Sequence, residues 1–233
     1  MLSSVATPRR KGQRSDVKFL RPPNSRLLVY NRDVGSLKLP PGEKWENYEL
    51  KALGLRDFAR VRLDAALNPF QLAQFANLIV LSFDKIKGLS EEVRQHLLGP
   101  ASEAWSGGVC SRPLPNGAKI VILNPKHGRT RTNATLMEEI CHVFLGHTPT
   151  RLAIVAEDER GRMLHRDYRK ADEEAAYAVG AAALVPFSVL RRFVLQKKTS
   201  TDIARHFRVS RELVEYRIKV TRLWTTFKTL HQI

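Results

Sequence analysis

From Trp45 onward the apolar positions recur at helical spacing. Leu50, Leu53, Phe58, Val61, Leu63 and Leu67 predict one or two amphipathic helices. Asn68-Pro69 then marks a new helix start, with Asn as N-cap and Pro in the first helical position, and the helix runs to about residue 76. Residues 78–83 form a short, β-branched apolar run that reads as a strand, and Ser90-Glu91-Glu92 opens a helix through Leu98. Gly107, Gly108, Pro113 and Pro115 punctuate residues 105–116, which predicts turns. Lys119–Leu123 is the clearest strand in the chain, and Asn124-Pro125 ends it. A strong helix follows over 132–145. Residues 151–169 are irregular, with a candidate strand at 152–156, and an Ala-rich helix over 171–184 stops before Pro186. Residues 187–233 hold three short helical segments.

The N-terminal 47 residues lack this periodicity. They are polar, broken by Pro22, Pro23, Pro40, Pro41 and Gly42, and basic, with a short candidate strand at 26–30. Three segments follow: a basic arm (1–47), a main domain (48–190) and a basic C-terminal unit (191–233). The expected fold class is α+β, mainly helical with a small β-sheet. The chain of 233 residues is long enough to bury a substantial core.

Composition narrows the function classes. Lys and Arg number 39 against 23 Asp and Glu, a formal net charge of +16, which favours a polyanionic or acidic partner. Two cysteines, Cys110 and Cys141, exclude a disulfide scaffold and a four-cysteine zinc site. No apolar run reaches the roughly 18 residues of a membrane span, and no signal-peptide core opens the chain, so a cytoplasmic protein without a membrane partner is expected.

Candidate chemistry concentrates in Glu138-Glu139-Ile140-Cys141-His142. On a helix, Glu138 and His142 lie one above the other, and Glu139 sits about 100° round, beside that face. A zinc-peptidase helix of the zincin type places two metal ligands at i and i+4, with a Glu between them that takes a proton from water on the metal. Glu138 stands where the first ligand is ordinarily His, and a carboxylate can also bind zinc. The best source for a third ligand is Asp172-Glu173-Glu174 at the start of the Ala-rich helix. Acids also gather at helix starts simply to offset the helix dipole. Glu139 and His142 match the Glu-x-x-His spacing of di-iron bundles, but no second such pair exists in the chain. His147, about 140° round from His142, is a poor co-ligand unless the helix ends near Gly146 and otherwise suits a C-capping or surface role, and Cys141 faces away as buried filler. His127 and His165 fall in loops, with solvated side chains expected.

The order of these blocks resembles the ImmA/IrrE metallopeptidases. The resemblance rests on the strand at Lys119–Leu123, the basic turn with Arg129 and Arg131, and Thr135-Leu136-Met137-Glu138-Glu139 before His142. It also rests on Glu173-Glu174-Ala175-Ala176 leading to Ala183-Leu184-Val185-Pro186, and it covers roughly residues 50–220. The resemblance implies a zincin-like domain with His142 and Glu173 as metal ligands, Glu139 as general base, and Glu138 at the first ligand position. It implies a metal-dependent endopeptidase acting on a protein partner, a helix-turn-helix repressor whose cleavage derepresses stress, phage or mobile-element genes. With two Glu and one His the centre would be formally neutral, and its oxygen donors would accept Mn²⁺ or Fe²⁺ as well as Zn²⁺. The rival reading is a regulatory module that binds DNA or protein without turnover.

The C-terminal unit carries 11 Lys and Arg against Asp202, Glu212 and Glu215. Thr201 is expected to cap a helix that buries Ile203, Ala204 and Phe207. Val209-Ser210 would form a turn, and Leu213, Val214 and Arg217 would lie on a second helix, the pattern of a helix-turn-helix. Two readings stand side by side. Ser210, Arg211, Glu212 and Arg217 could meet DNA, or the unit could simply pack on the main domain.

Overall fold

The computed structural model describes residues 37–110, 113–147 and 170–232, all within one compact unit, Val34–Ile233. The element order is α1 (Glu43–Phe58), α2 (Pro69–Phe75), β1 (Leu78–Leu81), α3 (Glu91–Leu98), β2 (Gly107–Val109), β3 (Lys119–Leu123), α4 (Arg129–Phe144), α5 (Lys170–Leu184), α6 (Phe187–Leu195), α7 (Ser200–Phe207), α8 (Arg211–Val220) and α9 (Trp224–His231). The protein is mainly helical with one small sheet, an α+β arrangement. The strands expected at 26–30 and 152–156 lie outside the described residues.

Several boundaries follow directly from local chemistry. The Asn68 side chain accepts the Phe70 N–H, with Pro69 in the first turn of α2, and Ser90 caps α3 by accepting from Val93. The sheet has the order β1-β3-β2, with β1 parallel and β2 antiparallel to the central β3. β2 corrects the expectation of turns around Gly107. A Cβ at Gly107 would lie 2.9 Å from Thr135 Cγ2 and 3.0 Å from the Ile122 carbonyl oxygen. The glycine therefore lets an edge strand approach α4 closely, and it is not a turn signal.

The first helix also departs from its pattern. Leu50 and Phe58, read as its apolar face, are 49% and 59% exposed, whereas Glu49, Ala52, Leu55 and Arg56 are buried. The reason is polar. Glu49 Oε2 accepts from Arg217 of α8 at 2.5 Å, and its Oε1 accepts the Phe187 N–H at the start of α6 at 2.6 Å. Arg56 donates to the Ala183 carbonyl at 2.6 Å, and Arg217 Nε donates to the Val185 carbonyl at 3.1 Å. The corner between α5 and α6, bent by 58° at Pro186, thus has its carbonyls capped by two arginines and its first α6 N–H capped by a carboxylate. Burial pulls Arg56 down to about 10, against the opposing charges of Asp64 and Glu49.

Residues after Pro186 form four helices instead of the three segments expected, and they share one core with α1, α4 and α5. The cap of α7 is Thr199, not Thr201. Thr199 exchanges side-chain-to-backbone bonds with Asp202 in a capping box, which Thr201, inside the helix, has no comparable acid to complete. Ser210 caps α8 by accepting from Leu213. Among the described residues no single helix is long and apolar enough to cross a membrane. α5 and α6 qualify only as a bent pair, and most of their apolar residues belong to the core.

Removing one partner of the Glu49–Arg217 pair strands the other charge where it is 1% exposed. Glu49→Gln should lower unfolding stability by about 3–5 kcal/mol, read from the midpoint of a urea denaturation curve. A midpoint equal to wild type would show that the pair is not what secures the corner.

Candidate metal centre

α4 and α5 pack along a stripe of small residues. Ala176 and Gly180 are buried on α5, and a Cβ at Gly180 would lie 3.4 Å from Met137 Cγ and 3.6 Å from Cys141 Sγ. Glu173 lies on that same face, three and seven residues before Ala176 and Gly180. The close approach brings Glu173 to the face of α4 that carries Glu138 and His142.

One potential ligand atom from each of Glu138, His142 and Glu173 lies within 4.8 Å of the others. His142 Nε2 is 3.7 Å from Glu173 Oε2. The histidine side chain is 4% exposed and the glutamate 43%, so the cluster has a closed side and an open one. Glu139 is buried on the adjacent face of α4. Of the Asp172-Glu173-Glu174 cluster, only Glu173 joins this group; Glu174 binds Lys44 at 2.5 Å on the surface.

The donor set suits a divalent cation, with two carboxylates and one imidazole converging at a partly closed site. Without a cation the carboxylates oppose one another. Burial, then Glu173, then Glu139 push Glu138 up to about 7. The same burial, with a contribution from Glu138, pushes the Cys141 thiol up, so Cys141 is an inert buried thiol as expected. Tyr177, one turn beyond Glu173, is also raised, by burial and then by Glu138.

Two expectations about histidines are revised. The His147 N–H donates to the His142 carbonyl at 3.0 Å and so closes the helix as expected, but its side chain does not stand on the surface. Its side chain is 12% exposed, its Nδ1 lies 3.2 Å from His142 Nδ1, and its Nε2 lies 3.7 Å from Asp172 Oδ1. The ideal-helix angle does not apply to His147 because α4 ends at Phe144 and Gly146, at φ 70°, turns the chain back, the exception the sequence had left open. The glycine two residues past the helix was the available signal. His127 is half-buried, with Nε2 3.4 Å from Asn124 Nδ2, and burial lowers its pKa. His165 lies outside the described residues.

Of the residues expected to meet DNA, Arg211 and Glu212 are exposed at the start of α8, and Ser210 caps that helix. Arg217 is corrected. It is 1% exposed and its guanidinium is committed to Glu49 and Val185, because the first two turns of α8 present one face to the core and Arg217 lies on it.

A family model described as the IrrE N-terminal-like domain, a peptidase family, matches residues 101–219. The match includes β2, β3, α4 and α5, and therefore Glu138, Glu139, His142 and Glu173. No curated protein and no solved structure matches the chain.

In metal-free protein the folded state holds the Glu138 proton more tightly than the unfolded chain does. Stability from this group is therefore fully present below about pH 4.5 and is lost as the pH rises to about 7. Glu138→Gln imitates the protonated form and escapes that loss. The melting temperature of Glu138→Gln minus that of wild type should grow across this window. Parallel profiles would remove the crowding of carboxylates from the description of the site.

Proposed function

We propose that this chain, which belongs to the IrrE N-terminal-like peptidase family, is a metal-dependent endopeptidase that cleaves a protein partner. The convergence of Glu138, His142 and Glu173 beside a buried Glu139 carries this reading. Glu138, His142 and Glu173 hold the cation. Zinc is the expected ion, and the oxygen-rich donor set also suits Mn²⁺ or Fe²⁺. A bound divalent cation acidifies water and polarises a peptide carbonyl. Glu139 takes the proton from the attacking water and delivers it to the departing amine, so that water adds across the broken C–N bond. The half-exposed Glu173 side is where a polypeptide would enter.

The substrate in this reading is a helix-turn-helix repressor in the cytoplasm, and its cleavage derepresses the genes it controls. The net charge of +16 favours an acidic partner surface. Glu138 in place of the usual histidine makes the centre formally neutral, which lowers its power to acidify water.

A second reading is a catalytically weak or inactive regulatory module that binds DNA or protein. It draws on the α7–α8 pair, in which Arg208 in the left-handed region (φ 58°), the buried Val209 and the capping Ser210 join two short helices as a helix-turn-helix would. Arg205, Arg208, Arg211 and Lys219 are exposed there. Arg211 at the start of α8 is the natural base-edge or phosphate contact, although it also lies 3.3 Å from Glu215.

Purified protein should hold about one divalent ion per chain. His142→Ala should lose it and melt at lower temperature, since a bound ion stabilises the folded state. Glu139→Gln should keep the ion and lose about 10²–10⁴ in cleavage rate. Turnover by Glu139→Gln at the wild-type rate would reject the assigned base. Glu138→His should raise cleavage by making the centre one charge more positive. For the second reading, replacing Arg208 and Arg211 by Ala should weaken DNA binding and flatten its salt dependence. Unchanged binding would exclude α8 as the reader.

A further inference from the structure

From Ala176 to Ala183, α5 is a run of small, buried residues interrupted once, by Tyr177. That tyrosine is 36% exposed. It follows Glu173 by four residues, so it stands one turn along the same side of the helix, about 40° round. It therefore borders the open side of the Glu138, His142 and Glu173 cluster, and the charge of Glu138 acts on its phenol. Tyr216 of α8 meets the Tyr177 ring edge-on, with centroids 4.9 Å apart and planes at 65°. Tyr216 is half-buried against the core, and its neighbour Arg217 is fixed by Glu49 and the Val185 carbonyl. α8 thus gives an exposed ring on α5 a firm backing. Neither hydroxyl has a hydrogen-bond partner among the described residues, so neither phenol serves the fold's own hydrogen bonding.

We propose that Tyr177, backed by Tyr216, is a specificity-determining residue that receives an aromatic side chain of the polypeptide substrate next to the scissile bond. This rests on the reading of Glu138, His142 and Glu173 as the cation site of a peptidase. A peptide carbonyl brought to that site from the open Glu173 side carries its neighbouring side chains past a ring one helical turn, about 5.4 Å, away. Successive residues of an extended peptide are about 3.3 Å apart, so a residue flanking the cut bond is the one that arrives there. Two rings set edge-on leave an angle between them. A third ring entering that angle stacks offset on one and meets the other edge-on, the two arrangements aromatic pairs prefer. A glycine at the same position buries no apolar surface against Tyr177 and gains nothing from it.

The test uses the full-length chain carrying Glu139→Gln, so that peptides are bound and not cut, and supplies zinc. The probe is a displayed library of random decapeptides, selected in parallel on this protein and on the same protein with Tyr177→Ala or Tyr177→Phe added. Phe, Tyr and Trp should be enriched among the retained peptides about 2–10-fold more with Tyr177 than with Tyr177→Ala. Tyr177→Phe keeps the ring and should keep the enrichment. A ring that serves packing alone would change the melting temperature and leave this side-chain preference where it was. Equal aromatic enrichment on Tyr177→Ala, its loss in Tyr177→Phe, or no peptide retained by any of the three would overturn the proposal. Repeating the selection with a chelator separates the two readings. Retention that is the same with and without zinc would reject the cation site's part in binding, and the comparison with Tyr177→Ala would still decide the role of the ring.

Discussion

Glu49 on α1 and Arg217 on α8 meet at 2.5 Å with 1% of each side chain exposed, far from each other in sequence. A buried pair of this kind is costly to assemble and costlier to break, so it tolerates few alternative arrangements of the elements that carry it. Here it does more than neutralise two charges. The same carboxylate caps the first turn of α6, the same guanidinium caps the end of α5, and Arg56 from α1 caps a neighbouring α5 carbonyl. Two helices, α1 and α8, are thereby tied to the corner at Pro186. The orientation of α5 depends on that corner, and α5 carries Asp172 and Glu173.

The other end of α5 shows the opposite electrostatic situation. Glu138, Glu139 and Glu173 are gathered at the α4–α5 contact, where burial and then the neighbouring carboxylates raise Glu138 well above the ordinary carboxylate range. Such an arrangement costs stability as the carboxylates ionise. The two ends of one helix thus divide the work. One end is held by charges already paired within the fold, and the other gathers carboxylates that repel one another.

Net basicity sets a broad field around the site without deciding its chemistry. Much of the positive charge on α7 and α8 faces outward, at Arg205, Arg208, Arg211 and Lys219, and one arginine is withdrawn into the core. The distinction matters for any account of nucleic-acid contact. A count of basic residues treats Arg217 and Arg211 alike, whereas burial separates a structural cap from a side chain able to meet phosphate.

The sequence by itself determined what depends on neighbours within a few residues. The strand at β3, the helices α4 and α5, the caps at Asn68, Ser90 and Ser210, and the shared face of Glu138 and His142 all follow from short-range periodicity and capping chemistry. Glu173 as the third member came from the order of motifs along the chain, since spacing alone left three adjacent acids equivalent. Only the tertiary structure decided which of those acids meets His142. It also decided that Gly107 sits in a strand, that α1 buries Glu49 and Arg56 instead of Leu50 and Phe58, and that His147 returns to the site. Each depends on a partner in a separate element, at Thr135, Arg217, Ala183 and Asp172. A polar residue with such a partner becomes interior, and no pattern of hydrophobic positions records where that partner will be.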